Sequence, residues 1–273
     1  MALKHFPEVY VDFTTTRYTI ASEKISRPMT ILMLGDLHNA EHGKDNCDLL
    51  AACRRERPDL VLCVGDMSVG VPGAPFDGAV RVLRSLAELA PCLGVDGNHA
   101  MKMKAFGDGS YERYESEIES ADVRVLHNQS CLLSVCGNPL SVTGLELPAE
   151  KYRKMRIPHL LQQEVLSLIG RRRDEDRYHI LIAHNPQFMD RYFEWGADLV
   201  VCGHFHGGIL HFKNGRSLIS PYGLPFPKYG YGLFSRNGQS GIVTSGLGEH
   251  TLPFRFTKNN PMEIVVISVQ KAE

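Results

Sequence analysis

Short apolar runs alternate with segments of helical spacing along most of this chain. Continuous apolar runs predict strands that are buried on both faces, as in parallel sheets. The runs expected to form strands are 17–25, 30–35, 60–64, 92–95, 123–126, 131–136, 140–145, 178–183, 199–202, 241–245 and 263–269. Helical spacing predicts helices over 46–57, 77–89, 110–120 and 157–169, with a further short helix before residue 199. The alternation indicates an α/β fold.

Five of these runs end in side chains that can bind metal ions. The end residues are Asp36 and His38, Asp66, Asn98 and His99, His184, and His204 and His206. Asp, Asn and Gly also favour turns, which explains one such end but not five. Carboxylate, amide and imidazole donors without thiolate suit Mn²⁺, Fe²⁺ or Zn²⁺. The pattern therefore predicts a metal site at the carboxyl ends of the strands.

Composition narrows the class of protein. The 273 residues are 43% hydrophobic, enough for a sizeable core, and we expect one domain over 1–273. The net charge of −1 gives no reason to expect nucleic acid as a partner. Seven cysteines without a CxxC spacing favour free thiols in a reducing compartment. Neither a signal peptide nor a transmembrane segment is predicted, so we expect a cytoplasmic protein. The sequence does not indicate an oligomeric state.

The order of the motifs adds a family resemblance. Gly-Asp-x-His, Gly-Asp, Gly-Asn-His, His and Gly-His-x-His follow one another between residues 31 and 208. This pattern resembles the calcineurin-like metallophosphoesterase superfamily. It implies two mixed β-sheets packed as a sandwich and flanked by helices, followed by a C-terminal loop and closing strands over 209–273. The tail, including Pro253-Phe-Arg-Phe256, is similar to one bacterial branch with membrane-associated phosphodiesterases that act on lipid and envelope substrates.

The resemblance also implies a site and a reaction. It assigns seven ligands to two divalent ions, with Asp36, His38 and His206 on the first, Asn98, His184 and His204 on the second, and Asp66 bridging them. We expect Mn²⁺, with Fe²⁺ or Zn²⁺ as alternatives. A hydroxide bridging the ions would attack phosphorus in line. The family residue matched by His99 stabilises the phosphoryl group or protonates the leaving oxygen.

One position departs from the family pattern. An acid that orients the histidine usually follows Gly-Asn-His, whereas this chain has Ala100. His99 is then held less firmly, or is oriented by another acid such as Asp96 or Glu146. The departure affects the expected acid catalysis and leaves the metal ligands unchanged.

Several residues near the motifs are candidates for substrate contacts. These are Asn39, His42, Asn185 and Tyr229. The segment 221–234, rich in Pro, Tyr and Gly, is either a lid over the ligand or aromatic packing against the sheet. An ordinary polar loop is the alternative for Asn39 and His42.

Three functions remain open at this stage. A phosphodiesterase is favoured by the branch resemblance, with a small molecule or a lipid headgroup as the phosphate ester. A phosphomonoesterase on the same scaffold is the first alternative, because the pocket around non-reacting groups sets that choice. A non-catalytic scaffold is the second, although it would not explain a full set of competent ligands. A lipid substrate would require at most peripheral membrane association.

Overall fold

The computed structural model describes residues 9–10, 13–154, 156–208, 217–249 and 260–272. The strands are β1 Val9–Tyr10, β2 Phe13–Ser22, β3 Met29–Leu34, β4 Glu41–His42, β5 Leu60–Cys63, β6 Cys92–Gly94, β7 Val123–Val125, β8 Ser130–Val135, β9 Asn138–Leu145, β10 Tyr178–Ala183, β11 Leu199–Cys202, β12 Gly232–Arg236, β13 Gln239–Val243 and β14 Met262–Lys271. The helices are α1 Cys47–Glu56, α2 Asp77–Ala87, α3 Asn98–Phe106, α4 Ser110–Glu119, α5 Gln162–Ile169 and α6 Met189–Trp195. Short 3-10 helices span Lys44–Asn46, Ala149–Tyr152 and Pro186–Phe188.

Two mixed sheets of six strands form the body of the fold. The first has the order β2-β14-β3-β5-β6-β7, and β3, β5, β6 and β7 run parallel within it. The second has the order β12-β13-β11-β10-β9-β8, with β9, β10, β11 and β13 parallel and antiparallel strands at both edges. The expected two-sheet sandwich flanked by helices is confirmed.

Successive side chains of a strand point to opposite faces of the sheet. Both faces are buried here, which explains why the apolar runs are continuous. Ile31 and Met33 lie in the core between the two sheets, whereas Leu32 and Leu34 pack with residues of α1, α2 and α4. In the second sheet, Ile180 and Ile182 face the same central core, and Leu181 packs with residues of α5 and α6. Because both faces of these strands are covered, polar side chains are left for the strand ends.

Two of the predicted boundaries are wrong, for local reasons. The helix expected over 157–169 begins only at Gln162, because the Glu164 carboxylate accepts the Leu161 N–H at 2.7 Å and fixes the first turn there. The turn expected at Gly137-Asn138-Pro139 lies one residue earlier. Cys136 and Gly137 both have positive φ, 51° and 82°, so they form the two-residue hairpin turn and Asn138 starts β9.

Two of the longer elements had no sequence prediction. Helix α3 starts at the Asn98-His99 motif itself, and β12 occupies the end of the segment considered as a lid. The tail motif Pro253–Phe256 lies outside the described residues. None of the helices in the described part of the chain is long and apolar enough to cross a membrane.

Candidate metal centre

The five strand ends predicted to carry ligands meet at one place. Asp36 and Asp66 follow the parallel strands β3 and β5, and His184 and His204 follow the parallel strands β10 and β11. The two sheets thus direct their carboxyl ends toward a common cluster. Contacts across it join the sheets, since the His204 N–H donates to Asp36 Oδ2 at 2.9 Å.

The backbone at these ends adopts a conformation that L-residues seldom take. Five residues of the cluster lie in the left-handed region, with φ of 52° at Asp36, 48° at His38, 52° at Asp66, 67° at His204 and 49° at His206. Such conformations cost about 1–3 kcal/mol each and concentrate at functional sites. The strain allows short segments after the strands to aim side chains at a single point.

A first group of potential ligands consists of Asp36, His38 and His206, whose ligand atoms lie within 4.8 Å of one another. The Nε2 atoms of His38 and His206 are 3.1 Å apart, and Asp36 Oδ1 lies 3.5 Å from His206 Nε2. His206 Nδ1 donates to the Gly248 carbonyl at 3.3 Å. A backbone acceptor on Nδ1 leaves the Nε2 lone pair of the neutral imidazole facing the cluster.

A second group consists of Asp66, His184 and His204, within the same limit of 4.8 Å. His184 Nε2 lies 3.0 Å from Asp66 Oδ2, and its Nδ1 donates to the Val64 carbonyl at 2.7 Å. Burial lowers the pKa of His184, but Asp66 raises it to about 9. Proton and cation therefore compete for the same Nε2, as is usual for histidine ligands.

Asp66 connects the two groups. Its Oδ2 also lies 4.0 Å from His38 Nε2, while its Oδ1 accepts the His99 N–H at 2.7 Å. Burial raises the pKa of Asp66, but its interactions with His184, His99 and His38 outweigh this effect and hold the pKa well below its usual value. An ionised carboxylate between two sets of imidazoles suits a ligand shared by two cations.

Two buried oxygens test whether a cation fits this cluster. Asp36 Oδ1 and Asn98 Oδ1 have no hydrogen-bond partner within the described part of the chain. An orphaned buried oxygen costs roughly 1–3 kcal/mol, and more when it is charged. Both atoms belong to predicted metal ligands, and a divalent ion would satisfy them. The residues present therefore fit metal binding.

His99 is oriented by the backbone rather than by an acid. The Gly70 N–H donates to His99 Nδ1 at 2.8 Å, so the neutral ring carries its proton on Nε2. Burial lowers the pKa of His99 to about 3, which favours this neutral form. A Cβ at residue 70 would lie 2.4 Å from the His99 carbonyl oxygen, so the contact requires glycine.

The suggested substitutes for the missing acid are wrong. The Asp96 carboxylate accepts the Tyr111 hydroxyl at 2.7 Å, and Glu146 contacts His127 at 3.1 Å. Neither carboxylate bonds His99. Sequence reasoning missed Gly70 because a backbone N–H is present at every residue other than proline and leaves no residue-specific signal.

Two tyrosines lie beside the ligand cluster, next to His204. The Tyr152 ring centroid lies 5.1 Å from that of His204, and the Tyr222 hydroxyl lies 3.5 Å from His204 Nε2. Tyr222 was one of the lid candidates, whereas Tyr152 was not predicted. The Tyr222 hydroxyl also donates to the Lys151 carbonyl at 2.9 Å, which ties the 217–231 segment to the Ala149–Tyr152 helix.

The four candidates for substrate contacts have different surroundings. Asn39 is partly exposed beside the first ligands, and its Nδ2 donates to the Pro75 carbonyl. Asn185 is fully buried and donates to the Tyr222 hydroxyl at 2.6 Å. The structure brings neither of the other two to the cluster. His42 is buried against the Leu247 carbonyl, and the Tyr229 hydroxyl donates to Asp190.

Several known proteins are similar to this chain at low sequence identity. Uncharacterized protein YpbG of Bacillus subtilis (strain 168) is 25% identical over 93% of this chain and 86% of its own length. Phosphodiesterase YaeI of Escherichia coli (strain K12) is 27% identical over 67% of this chain and 62% of its own length. The solved structure of a novel archaeal phosphodiesterase covers 82% of this chain and 88% of its own, at 12% identity and a TM-score of 0.42.

The family model described as calcineurin-like phosphoesterase matches residues 29–208. This segment is more than half of the chain, and it begins before Asp36 and ends after His206. The clustered carboxylates and imidazoles supply the metal-binding groups that the family requires. The chain therefore belongs to the calcineurin-like phosphoesterase family and is a metal-dependent phosphoesterase.

Proposed function

We propose that this protein is a phosphodiesterase that holds two divalent metal ions, with Mn²⁺ as the expected ion and Fe²⁺ or Zn²⁺ as alternatives. The observation that carries the proposal is the arrangement of two ligand groups around the ionised, buried Asp66. Asp36, His38 and His206 would hold the first ion, and Asn98, His184 and His204 the second. When bound, such ions polarise phosphoryl oxygens and lower the pKa of a water molecule.

The chain itself prepares the ligands for this role. The Val64 and Gly248 carbonyls fix the Nδ1 protons of His184 and His206, so that each Nε2 is available in a defined direction. Backbone N–H groups do the same for the carboxylates, because Asp36 accepts from His204 and Asp66 accepts from His99. This network holds the donor atoms in place before substrate arrives, which reduces the reorganisation needed during reaction.

His99 would act as a hydrogen-bond donor. With Nδ1 accepting from Gly70, its Nε2–H is available to a phosphoryl or leaving oxygen of the substrate. A donor that is already positioned stabilises charge as it develops in the transition state, typically by about 10²–10³ in rate. We propose this electrostatic role in place of proton donation by an imidazolium, because the low pKa of His99 keeps the ring neutral.

The preference for diesters rests on relatives. The Escherichia coli relative is named a phosphodiesterase, and the tail resembles a branch with the same activity. A phosphomonoesterase remains the alternative function. A scaffold that binds no metal would not account for the strained ligands and for the two orphaned oxygens.

We also propose that the protein resides in the cytoplasm. All seven cysteines are free thiols, which agrees with a reducing compartment such as the cytoplasm.

Hydrolysis of two chromogenic esters tests the proposal. Metal-stripped protein would receive Mn²⁺ and either bis-p-nitrophenyl phosphate or p-nitrophenyl phosphate. We expect metal-dependent cleavage with the diester preferred, and bound metal measured in parallel should approach two ions per chain. Preference for the monoester would replace the proposed activity with that of a phosphomonoesterase. Two bound ions with neither ester cleaved would favour the scaffold.

A further inference from the structure

Lys102 lies one helical turn beyond Asn98, the proposed metal ligand of α3. Residues three apart share a helix face, which places Lys102 on the side of His99. The Gly70 backbone contacts both residues, because a Cβ built there would lie 2.4 Å from the His99 carbonyl oxygen and 2.8 Å from Lys102 Cβ. Lys102 is exposed as a whole residue, while its ammonium group remains partly buried beside this face.

Lys154 lies on a different segment beside α3. It follows the Ala149–Tyr152 helix by two residues, and that helix packs against α3. Tyr152 of that helix contacts His204 of the metal centre. The two lysines therefore lie on neighbouring segments that both contact the ligand cluster.

The charges of these lysines are not neutralised within the described part of the chain. Neither Lys102 nor Lys154 has a carboxylate within ion-pair distance there, whereas Lys151 pairs with Glu164 and Lys24 with Asp198. Burial lowers the pKa of Lys102, Asp66 opposes this change, and the charge of Lys154 lowers the pKa further. The two ammonium groups thus affect each other as well as the metal centre.

An anion between two like charges relieves their repulsion and gains attraction from both. The metal centre already supplies cations for the scissile phosphate. The lysines are therefore available to another part of the substrate. A phosphate group makes charge-assisted hydrogen bonds with ammonium donors more readily than a neutral alcohol does.

We propose that Lys102 and Lys154 form a subsite for a second phosphate group on the substrate, beside the scissile ester. This inference rests on the proposed function, since it assumes that the scissile ester binds at the metal centre. It narrows the substrate class to phosphate esters that carry a further phosphate. Removing either lysine should weaken the binding only of ligands that carry this second phosphate.

Equilibrium binding tests the subsite without turnover. Titration calorimetry at a fixed Mn²⁺ concentration would compare thymidine 3′,5′-bisphosphate with thymidine 5′-monophosphate, which differ by one phosphate. For K102A and for K154A we expect roughly three- to tenfold weaker binding of the bisphosphate, and less than about twofold for the monophosphate. The bisphosphate preference should also fall as salt increases.

Lys104 provides the matched control. It lies on the same helix with the same charge, but its ammonium sits 5.1 Å from the Tyr111 ring centroid. K104A should keep the wild-type preference, and K102R should retain most of it. Equal losses for both ligands in K102A and K154A would overturn the subsite, as would a K104A effect of the same size.

Turnover separates this inference from the proposed function. The two substrates would be the p-nitrophenyl ester of thymidine 5′-phosphate and the same ester with an added 3′-phosphate, which share p-nitrophenol as their leaving group. The wild type should have a higher kcat/KM for the second ester, and K102A should remove that advantage. If the wild type cleaves neither ester, the proposed activity fails while calorimetry still decides the subsite. Cleavage of both esters at equal kcat/KM in the wild type and K102A would reject the subsite alone.

Discussion

Two clusters of histidine and acidic residues occur in the described part of the chain, and their polar atoms are satisfied in different ways. Asp96, His127 and Glu146 have ligand atoms within 4.8 Å of one another, as the groups of the metal centre do. Both nitrogens of His127 face carboxylates, with Nδ1 3.1 Å from Glu146 and Nε2 2.9 Å from Glu115. Its side chain is 36% exposed. This second cluster is a network of ion pairs.

The metal centre is more deeply buried than the ion-pair network, and some of its polar atoms lack a partner in the part of the chain that the structure describes. His184 is 1% exposed and uses Nδ1 on a backbone carbonyl, so that only Nε2 faces acidic groups. Asp36 and Asn98 each retain a buried oxygen without a hydrogen-bond partner in the described residues. The comparison teaches that proximity of ligand-type side chains does not define a metal site. Orphaned buried oxygens, histidines fixed by backbone carbonyls and strained backbone distinguish the metal centre from the ion-pair network.

The largest expected effect follows from Asp66→Asn. Loss of the carboxylate charge between the two ligand groups should reduce bound Mn²⁺ and lower kcat by roughly 10³-fold or more, because several kcal/mol of transition-state stabilisation depend on the metal. Metal analysis and bis-p-nitrophenyl phosphate hydrolysis measure both effects. Glu146→Gln is the matched control and should leave metal content and rate unchanged. Full metal content in Asp66→Asn would contradict the assigned role.

A smaller effect is expected from His99→Ala. The variant removes the Nε2–H donor but no metal ligand, so kcat should fall by about 10²–10³ with metal content retained. His99→Gln, which restores an N–H donor, should recover part of the loss. Loss of metal in both variants would instead place His99 among the ligands, and the contrast between fixed donors and metal ligands in this site would fail.

The sequence predicted the strand-end ligands because each motif is local. A strand of apolar residues that ends in Gly and Asp or His specifies both the element and the direction of its last side chains, as at Asp66 and His204. The order of these ends along the chain then matched a family. The two-sheet sandwich, confirmed by the strand order, followed from that resemblance and not from the spacing of apolar residues.

The remaining features depend on contacts between distant segments. Gly70 orients His99 through a backbone N–H, and Tyr222 reaches His204 through a segment with no periodic pattern. The buried place of His42 depends on a contact with Leu247, 205 positions along the chain. Residue type does not encode such contacts, which explains why His42 and Tyr229 were assigned to substrate while Gly70 was overlooked.

The smallest effect is expected in the ion-pair network, where His127→Gln should change stability in a pH-dependent way. The Glu146 hydrogen bond raises the pKa of His127 to about 9, above its value of about 6.5 in an unfolded chain. The stabilisation is therefore complete below about pH 6.5 and is lost as the pH rises through about 9. Because the side chain is 36% exposed, solvent screening limits the effect to about 0.5–1 kcal/mol.

Thermal unfolding of wild type and His127→Gln between pH 6 and pH 10 would measure this difference. We expect the wild type to be more stable at pH 6 and the two curves to converge at pH 10. Repeating the series after chelation of metal should leave the difference unchanged, because His127 pairs with carboxylates and does not bind a metal ion. A difference that disappears on chelation would mean that the ion-pair network also binds metal, and the distinction drawn between the two clusters would be wrong.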